Sequence, residues 1–198
     1  MGAFRMVIAT AGLYFANKNL ADPNMYTLLG GTLILSMIVS MFFAPKCVHM
    51  WGKKHTYIYT LGLGFVSHIL LFILGYANLG IVFGLLFVCG ISLGINDVVT
   101  YSIVGDTVDY LEHKTGKRAE GMVFSLYTCT TILQRAVGLA FIGMVLAFVG
   151  YQGDVVEQTP LAYQGIYSLL SLFPAISCVL SMIPMFFYKF TSEEHAHI

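Results

Sequence analysis

Most of the residues able to do chemistry fall between positions 96 and 135. Asp106, Asp109 and Glu112 recur at three-residue spacing, and Lys114, Lys117, Arg118 and Glu120 follow closely. Carboxylates spaced three apart share a helical face, where they require cationic partners, and the bases just downstream can supply some of them. With a helix ending at this point, each acid would oppose the helix dipole by about 0.3–1 kcal/mol, whereas Glu120, opening the next helix, would be favoured by it. Such a cluster can act as a latch that closes by forming ion pairs and opens by exchanging them. One alternative is a solvated loop whose pairs contribute little. Another is a magnesium site at Asp106 and Asp109 in an integral membrane enzyme acting on a phosphorylated lipid. The crowding by Lys114, Lys117 and Arg118, and the lack of a wider acidic constellation, argue against that site.

A second group lies in apolar surroundings. Gly90, Gly94, Asp97 and Tyr101 form one helical stripe, with Asn96 beside Asp97. The glycines permit close helix approach. Asp97 offers two acceptor oxygens for ligand hydroxyls, or a site for a proton. Further on, Thr128, Ile132 and Arg135 share a face, so a hydroxyl and a guanidinium can line one cavity. Arg135 suits a carboxylate or vicinal hydroxyls through its planar fork. The alternative is that Asp97 and Arg135 neutralise each other and are both structural. An ionisable group at the centre of a spanning helix costs at least about 2.5–3.5 kcal/mol, so in either case it must face a partner or water.

The elements that position these groups are membrane helices. The 198 residues are 58% hydrophobic and 10% charged, with a formal net charge of zero and a mean hydropathy of +0.80. A soluble domain of ordinary surface charge is excluded, and the bilayer becomes the first partner. No basic run resembles a nucleic-acid footprint; the densest is Lys53-Lys54-His55. Punctuation by Pro, Gly, Asn and charge predicts six apolar segments at about 3–16, 25–44, 56–77, 80–104, 121–150 and 162–188. About a dozen apolar residues precede Asn17-Lys18-Asn19, so the first segment reads as a spanning helix whose start is lost, and no signal peptide is expected.

Connections between six spans alternate sides. Lys46, Lys53, Lys54, Lys114, Lys117, Arg118 and Lys189 fall on one side and Lys18 alone on the other, with Arg5 and Arg135 inside segments. The positive-inside rule then makes loops 45–55 and 105–120 and the carboxyl terminus cytoplasmic, in a multi-pass protein of the cell membrane. Arg5 is expected to snorkel, and Tyr14 and Phe15 to anchor in the interface or stack on a ligand ring. Cys47, Cys89, Cys129 and Cys178 show no paired spacing and the six histidines no metal-site spacing, so neither a metal nor a cofactor is expected.

The run Gly105-Asp-Thr-Val-Asp-Tyr-Leu-Glu-His-Lys-Thr-Gly-Lys-Arg-Ala-Glu-Gly121 closely resembles the signature of the glycoside-pentoside-hexuronide:cation symporters, the melibiose permease family of the major facilitator superfamily. Weaker agreement extends through Asp22-Pro23, Gly52-Lys53-Lys54, Val149-Gly150-Tyr151 and Thr191-Ser-Glu-Glu. In that family these features belong to the carboxyl-terminal half. The resemblance implies an all-α membrane fold of six helices, one half of the bundle, with an amino-terminal six-helix half as partner. It implies symport of a sugar or glycoside with sodium or a proton, the cation being held mainly by the other half. Substrate contacts would come from Asn96, Asp97, Tyr101, Thr128 and Arg135, and a cytoplasmic gate from Asp106, Asp109, Glu112, Lys114, Arg118 and Glu120. Many members resembling melibiose permease carry a lysine where this chain has Ile132, and Arg135 is the nearest cation on that face. A half of this kind is expected to be inactive alone. A non-transporting remnant or an interaction module is the competing reading.

Overall fold

The computed structural model describes residues 2–153, 155 and 157–187, with side chains from residue 7 to residue 186 within that set. The Arg5 side chain and the tail from Tyr188, including Lys189, lie outside the described residues. Among the described residues every regular element is helical: α1 Gly2–Tyr14, continued by a π-helical turn Phe15–Asn19, then α2 Asn24–Leu74, α3 Leu79–Thr115, α4 Glu120–Phe148, α5 Pro160–Leu170 and α6 Leu172–Phe187. Among the described residues four stretches are long and apolar enough to cross a bilayer: Asn24–Leu74, Leu79–Thr115, Glu120–Phe148 and Pro160–Phe186. The 13 residues of α1 rise only about 20 Å at 1.5 Å per residue, short of the roughly 30 Å hydrocarbon core.

Helix α2 contains 51 residues, about 77 Å of helix if it were straight and more than two bilayer cores. It is not straight. Gly52 sits at φ 74° and ψ 163°, a region open essentially to glycine alone, and the chain doubles back there, with the Thr56 hydroxyl donating to the Cys47 carbonyl at 3.0 Å. Helix α3 shows the direction of each arm. Gly90 meets Leu33 and Ser36, and Gly94 meets Met37 and Ser40, so residues 24–51 run parallel to α3. Ser92 donates to the Thr60 carbonyl at 2.6 Å while Cys89 lies beside His68, so residues 53–74 run antiparallel to it.

These contacts explain how the arms reach α3 so closely. Lipid offers no hydrophobic drive between helices, so small residues that let backbones touch carry the association. A Cβ at Gly90 would overlap the Ser36 hydroxyl and come within 2.9 Å of the Leu33 carbonyl, and one at Gly94 would come within 2.7 Å of the Met37 carbonyl. Ser36 and Ser40 are buried and donate to the Leu33 and Met37 carbonyls of their own helix, so close packing leaves neither hydroxyl unpaired. The main core, with Phe15, Leu71, Leu86, Ile142 and Leu169 among its members, joins α1 to the other helices.

Two boundaries differ from expectation. Segment 45–55 is helical apart from Gly52, with Pro45 inside the helix, and α3 continues to Thr115, so the expected loop 105–120 shrinks to residues 116–119. Gly116 closes α3 in the left-handed conformation, its amide donating to the Glu112 carbonyl at 2.8 Å. Only Glu112 therefore lies in the last turn, where the dipole opposes an acid; Asp106 and Asp109 are too far from the end to feel it strongly.

The Gly90→Ala substitution is expected to destabilise the bundle by about 1–3 kcal/mol through overpacking, read as a lower thermal midpoint in detergent. Gly105→Ala, where an added Cβ meets nothing within 4 Å, should leave the midpoint unchanged or raise it.

Candidate functional site

The two ends of the bundle have different chemistry. At one end the bend at Gly52 meets the carboxyl-terminal part of α3. Lys53 Nζ lies 2.6 Å from both carboxylate oxygens of Asp106, with side chains only 30% and 14% exposed. Both carboxylate oxygens of Asp106 are thus engaged by the Lys53 ammonium. Among the described residues no group of three or more His, Cys, Asp or Glu is arranged to hold a metal.

The rest of the expected gate forms a separate, exposed unit. Arg118 donates to Glu112 at 3.2 Å and to Glu120 at 3.1 Å, stapling the last turn of α3 to the first turn of α4 across the short loop. The hydrogen bond to Glu120 and its charge, followed by the charge of Glu112, hold the Arg118 guanidinium above its ordinary pKa. Asp109 is exposed and adds a weaker charge interaction with Arg118. Lys114 does not join the staple through a recorded ion pair; its ammonium lies 5.9 Å from the centre of the Tyr110 ring.

The residues expected to contact substrate lie on α3 and α4. Asn96 is buried, its amide donating to the Ser92 carbonyl at 2.8 Å, and its Oδ1 is buried without a partner. Asp97 is partly exposed and engaged within the fold, near enough to Tyr57 to act on it electrostatically. Tyr101 is 56% exposed and meets Tyr127 of α4 edge to face, with ring centroids 5.2 Å apart. This aromatic pair brings the two helices together at one level.

From that level, Asp97 stands four residues along α3, about 6 Å, and Arg135 eight residues along antiparallel α4, about 12 Å. The two charges are therefore offset along the bundle. No ion pair of Arg135 occurs among the described residues, so the structure does not bring about the mutual neutralisation of Asp97 and Arg135. Thr128 donates to the Phe124 carbonyl at 2.9 Å, which leaves its oxygen lone pairs facing outward as acceptors. Thr128, Ile132 and Arg135 are all exposed, and α4 buries only Gly138, Ile142 and Leu146. A cavity of about 210 Å³ between α1, α2, α3 and α5 is lined by apolar residues such as Ile8, Leu33 and Leu93 and contains none of the expected site residues.

The opposite end is aromatic. Phe15 is fully buried, with Tyr76 and Tyr167 at centroid distances of 5.5 and 5.6 Å, and Tyr167 donates to the Leu71 carbonyl. Phe15 is thus a core residue rather than an interface anchor, and Tyr14 packs on Tyr151 at 5.4 Å. Lys18 of the π turn donates to the Gly153 and Val155 carbonyls at 3.3 and 2.8 Å. Sequence reasoning missed this closure and also Lys53 as the partner of Asp106. No local signal links residues 53 apart, so only folding reveals the pair.

With this geometry in place, the comparisons fit closely. The family described as MFS/sugar transport protein matches residues 2–192, and the chain belongs to that family of membrane transporters. It is similar to the uncharacterized symporter YjmB of Bacillus subtilis (strain 168), 33% identical over 94% of the chain and 40% of the relative. It is also similar to a glucuronide carrier protein homolog of Escherichia coli (strain K12), 28% identical over 100% of the chain and 44% of the relative. The chain spans about two fifths of the length of these relatives. They are carriers and symporters rather than enzymes, and the apolar helices make this a multi-pass membrane protein.

Lys53→Gln and Asp106→Asn are each expected to cost about 1–2 kcal/mol, the usual scale for a shielded charged hydrogen bond, and the double substitution less than the sum. A double-mutant cycle on detergent unfolding checks this. Arg118→Gln, at an exposed staple, should not measurably change the same transition.

Proposed function

We propose that this chain forms one six-helix half of a cation-coupled symporter for sugar-like anions, working with a second six-helix bundle. The observation that carries the reading is Arg135: a charge at the middle of α4 (Glu120–Phe148), exposed and with no ion pair among the described residues. Facing lipid, it would incur at least the roughly 2.5–3.5 kcal/mol of a central arginine, so the α4 face is read as meeting water and a second bundle instead. The six crossings are read as α1 extended by its π turn, the two arms of α2 on either side of Gly52, α3, α4, and α5 continued by α6. The charged end is assigned to the cytoplasm because Lys46, Lys53, Lys54, Lys114, Lys117 and Arg118 gather there and Lys18 lies at the aromatic end.

In this reading Arg135 recognises the negative group of the substrate through its guanidinium fork. Thr128 accepts from a hydroxyl, while Tyr101 and the Asn96–Asp97 pair form the α3 wall. The name of the glucuronide carrier relative supports an acidic sugar, since a glucuronide carries a carboxylate. Sodium or a proton supplies the drive, held mainly on the partner half. The Arg118 staple, with Glu112, Glu120, Asp109 and Lys114, meets that half at the cytoplasmic gate; Asp106 reaches it only after leaving Lys53. Alternating access then follows from rocking the two bundles about a midplane site.

The test joins this chain to the amino-terminal half of a related symporter and measures uptake into vesicles under a sodium or a proton gradient. A glucuronide is expected to be taken up in preference to the matching neutral glucoside. Arg135→Gln should weaken apparent affinity for the glucuronide by roughly 10- to 100-fold, the scale of a lost charge-assisted hydrogen bond, with Arg135→Lys intermediate. Unchanged affinity in Arg135→Gln, Asp97→Asn and Thr128→Val would refute the site. Uptake by this chain reconstituted alone would refute the requirement for a second bundle.

A further inference from the structure

The bend at Gly52 carries a group of side chains that the transport reading leaves unused. Trp51 is 46% and Tyr59 55% exposed, and they meet edge to face at 5.6 Å. The His55 ring lies 6.1 Å from Tyr59. Lys46, His49 and His55 are exposed around the same bend. No Asp or Glu occurs from residue 23 to residue 96, so the whole of α2 lacks an acid of its own. Asp106 reaches in from α3, but Lys53 occupies both of its oxygens.

A helical hairpin tip with exposed Trp and Tyr rings sits at the level of the lipid headgroups, where amphipathic rings are favoured. Lys46, His49 and His55 lie within six residues of Gly52, about 9 Å of helix, so they stand within or just beside the headgroup zone, which adds about 5–8 Å beyond the hydrocarbon on each side. Basic side chains at that depth attract anionic lipid, and each cation is worth roughly a fivefold local enrichment. We propose that the Gly52 bend is a docking site for an anionic phospholipid headgroup. Lys46 supplies the positive charge, His49 and His55 offer ring N–H donors to the phosphate oxygens, and the edge-to-face Trp51–Tyr59 pair forms the aromatic wall against which the glycerol backbone rests.

The chain contains a single tryptophan, so its emission reports on this bend alone. The full chain is reconstituted in phosphatidylcholine vesicles with a fixed fraction of phosphatidylglycerol, and bromine is placed on the acyl chains of one lipid or the other. Brominated phosphatidylglycerol is expected to quench Trp51 at least about twofold more strongly than brominated phosphatidylcholine at equal mole fraction. That excess should fall in 0.5 M salt, where the Debye length is about 4 Å against about 30 Å at 0.01 M, and in Lys46→Gln, and further when His49→Gln and His55→Gln are added. Equal quenching by the two lipids overturns the proposal, as does a preference that Lys46→Gln and salt both leave intact. Absence of quenching by either lipid also overturns it, because protein rather than lipid would then cover the bend.

Discussion

The close approach of α3 to both arms of α2 organises the molecule. In a bilayer, association depends on backbones coming near enough for dispersion and short hydrogen bonds to act, because lipid tails are as apolar as leucine. Gly90 and Gly94 remove the atoms that would hold the first arm away, and the Ser92 hydroxyl ties the second arm through the Thr60 carbonyl. Once α3 holds both arms, the reversal at Gly52 is fixed, and Lys53 is delivered to Asp106.

That delivery divides the charged end into two units with different physics. The shielded Lys53–Asp106 pair lies where the local dielectric is lower than water, and breaking it leaves a partly buried charge. The Arg118 staple lies in solvent, where salt and side-chain entropy reduce its contribution. A shielded pair suits a permanent brace within one bundle. An exposed staple, joining the ends of α3 and α4, is more easily exchanged; in the proposed reading it forms and releases as two bundles move.

The α4 helix presents two kinds of surface. It buries three residues and exposes Leu126, Leu133, Val137 and Met144 on the face away from Arg135, with Ile132 beside it. A helix that exposes an apolar face and, on another side, a cation with no ion pair among the described residues is poorly matched to lipid all round and poorly matched to water alone. In the proposed reading a second bundle covers the apolar residues and leaves a wet cavity at Arg135.

Composition and hydropathy alone determined that the chain is helical and membrane-embedded, since without water every backbone polar group must be paired within its own segment. The sequence also made the 105–121 signature, the Gly90–Gly94 stripe and the isolated Arg135 legible, because each depends on local spacing. Tertiary structure decided what local spacing does not encode. It paired Lys53 with Asp106 across 53 residues, offset Arg135 from Asp97, buried Phe15 under Tyr76 and Tyr167, and turned an expected loop at 45–55 into a helical hairpin with one glycine at its tip. The physical reason is common to all four: charge pairing and aromatic packing act through space, and the distances are set by which helices the small residues allow to touch.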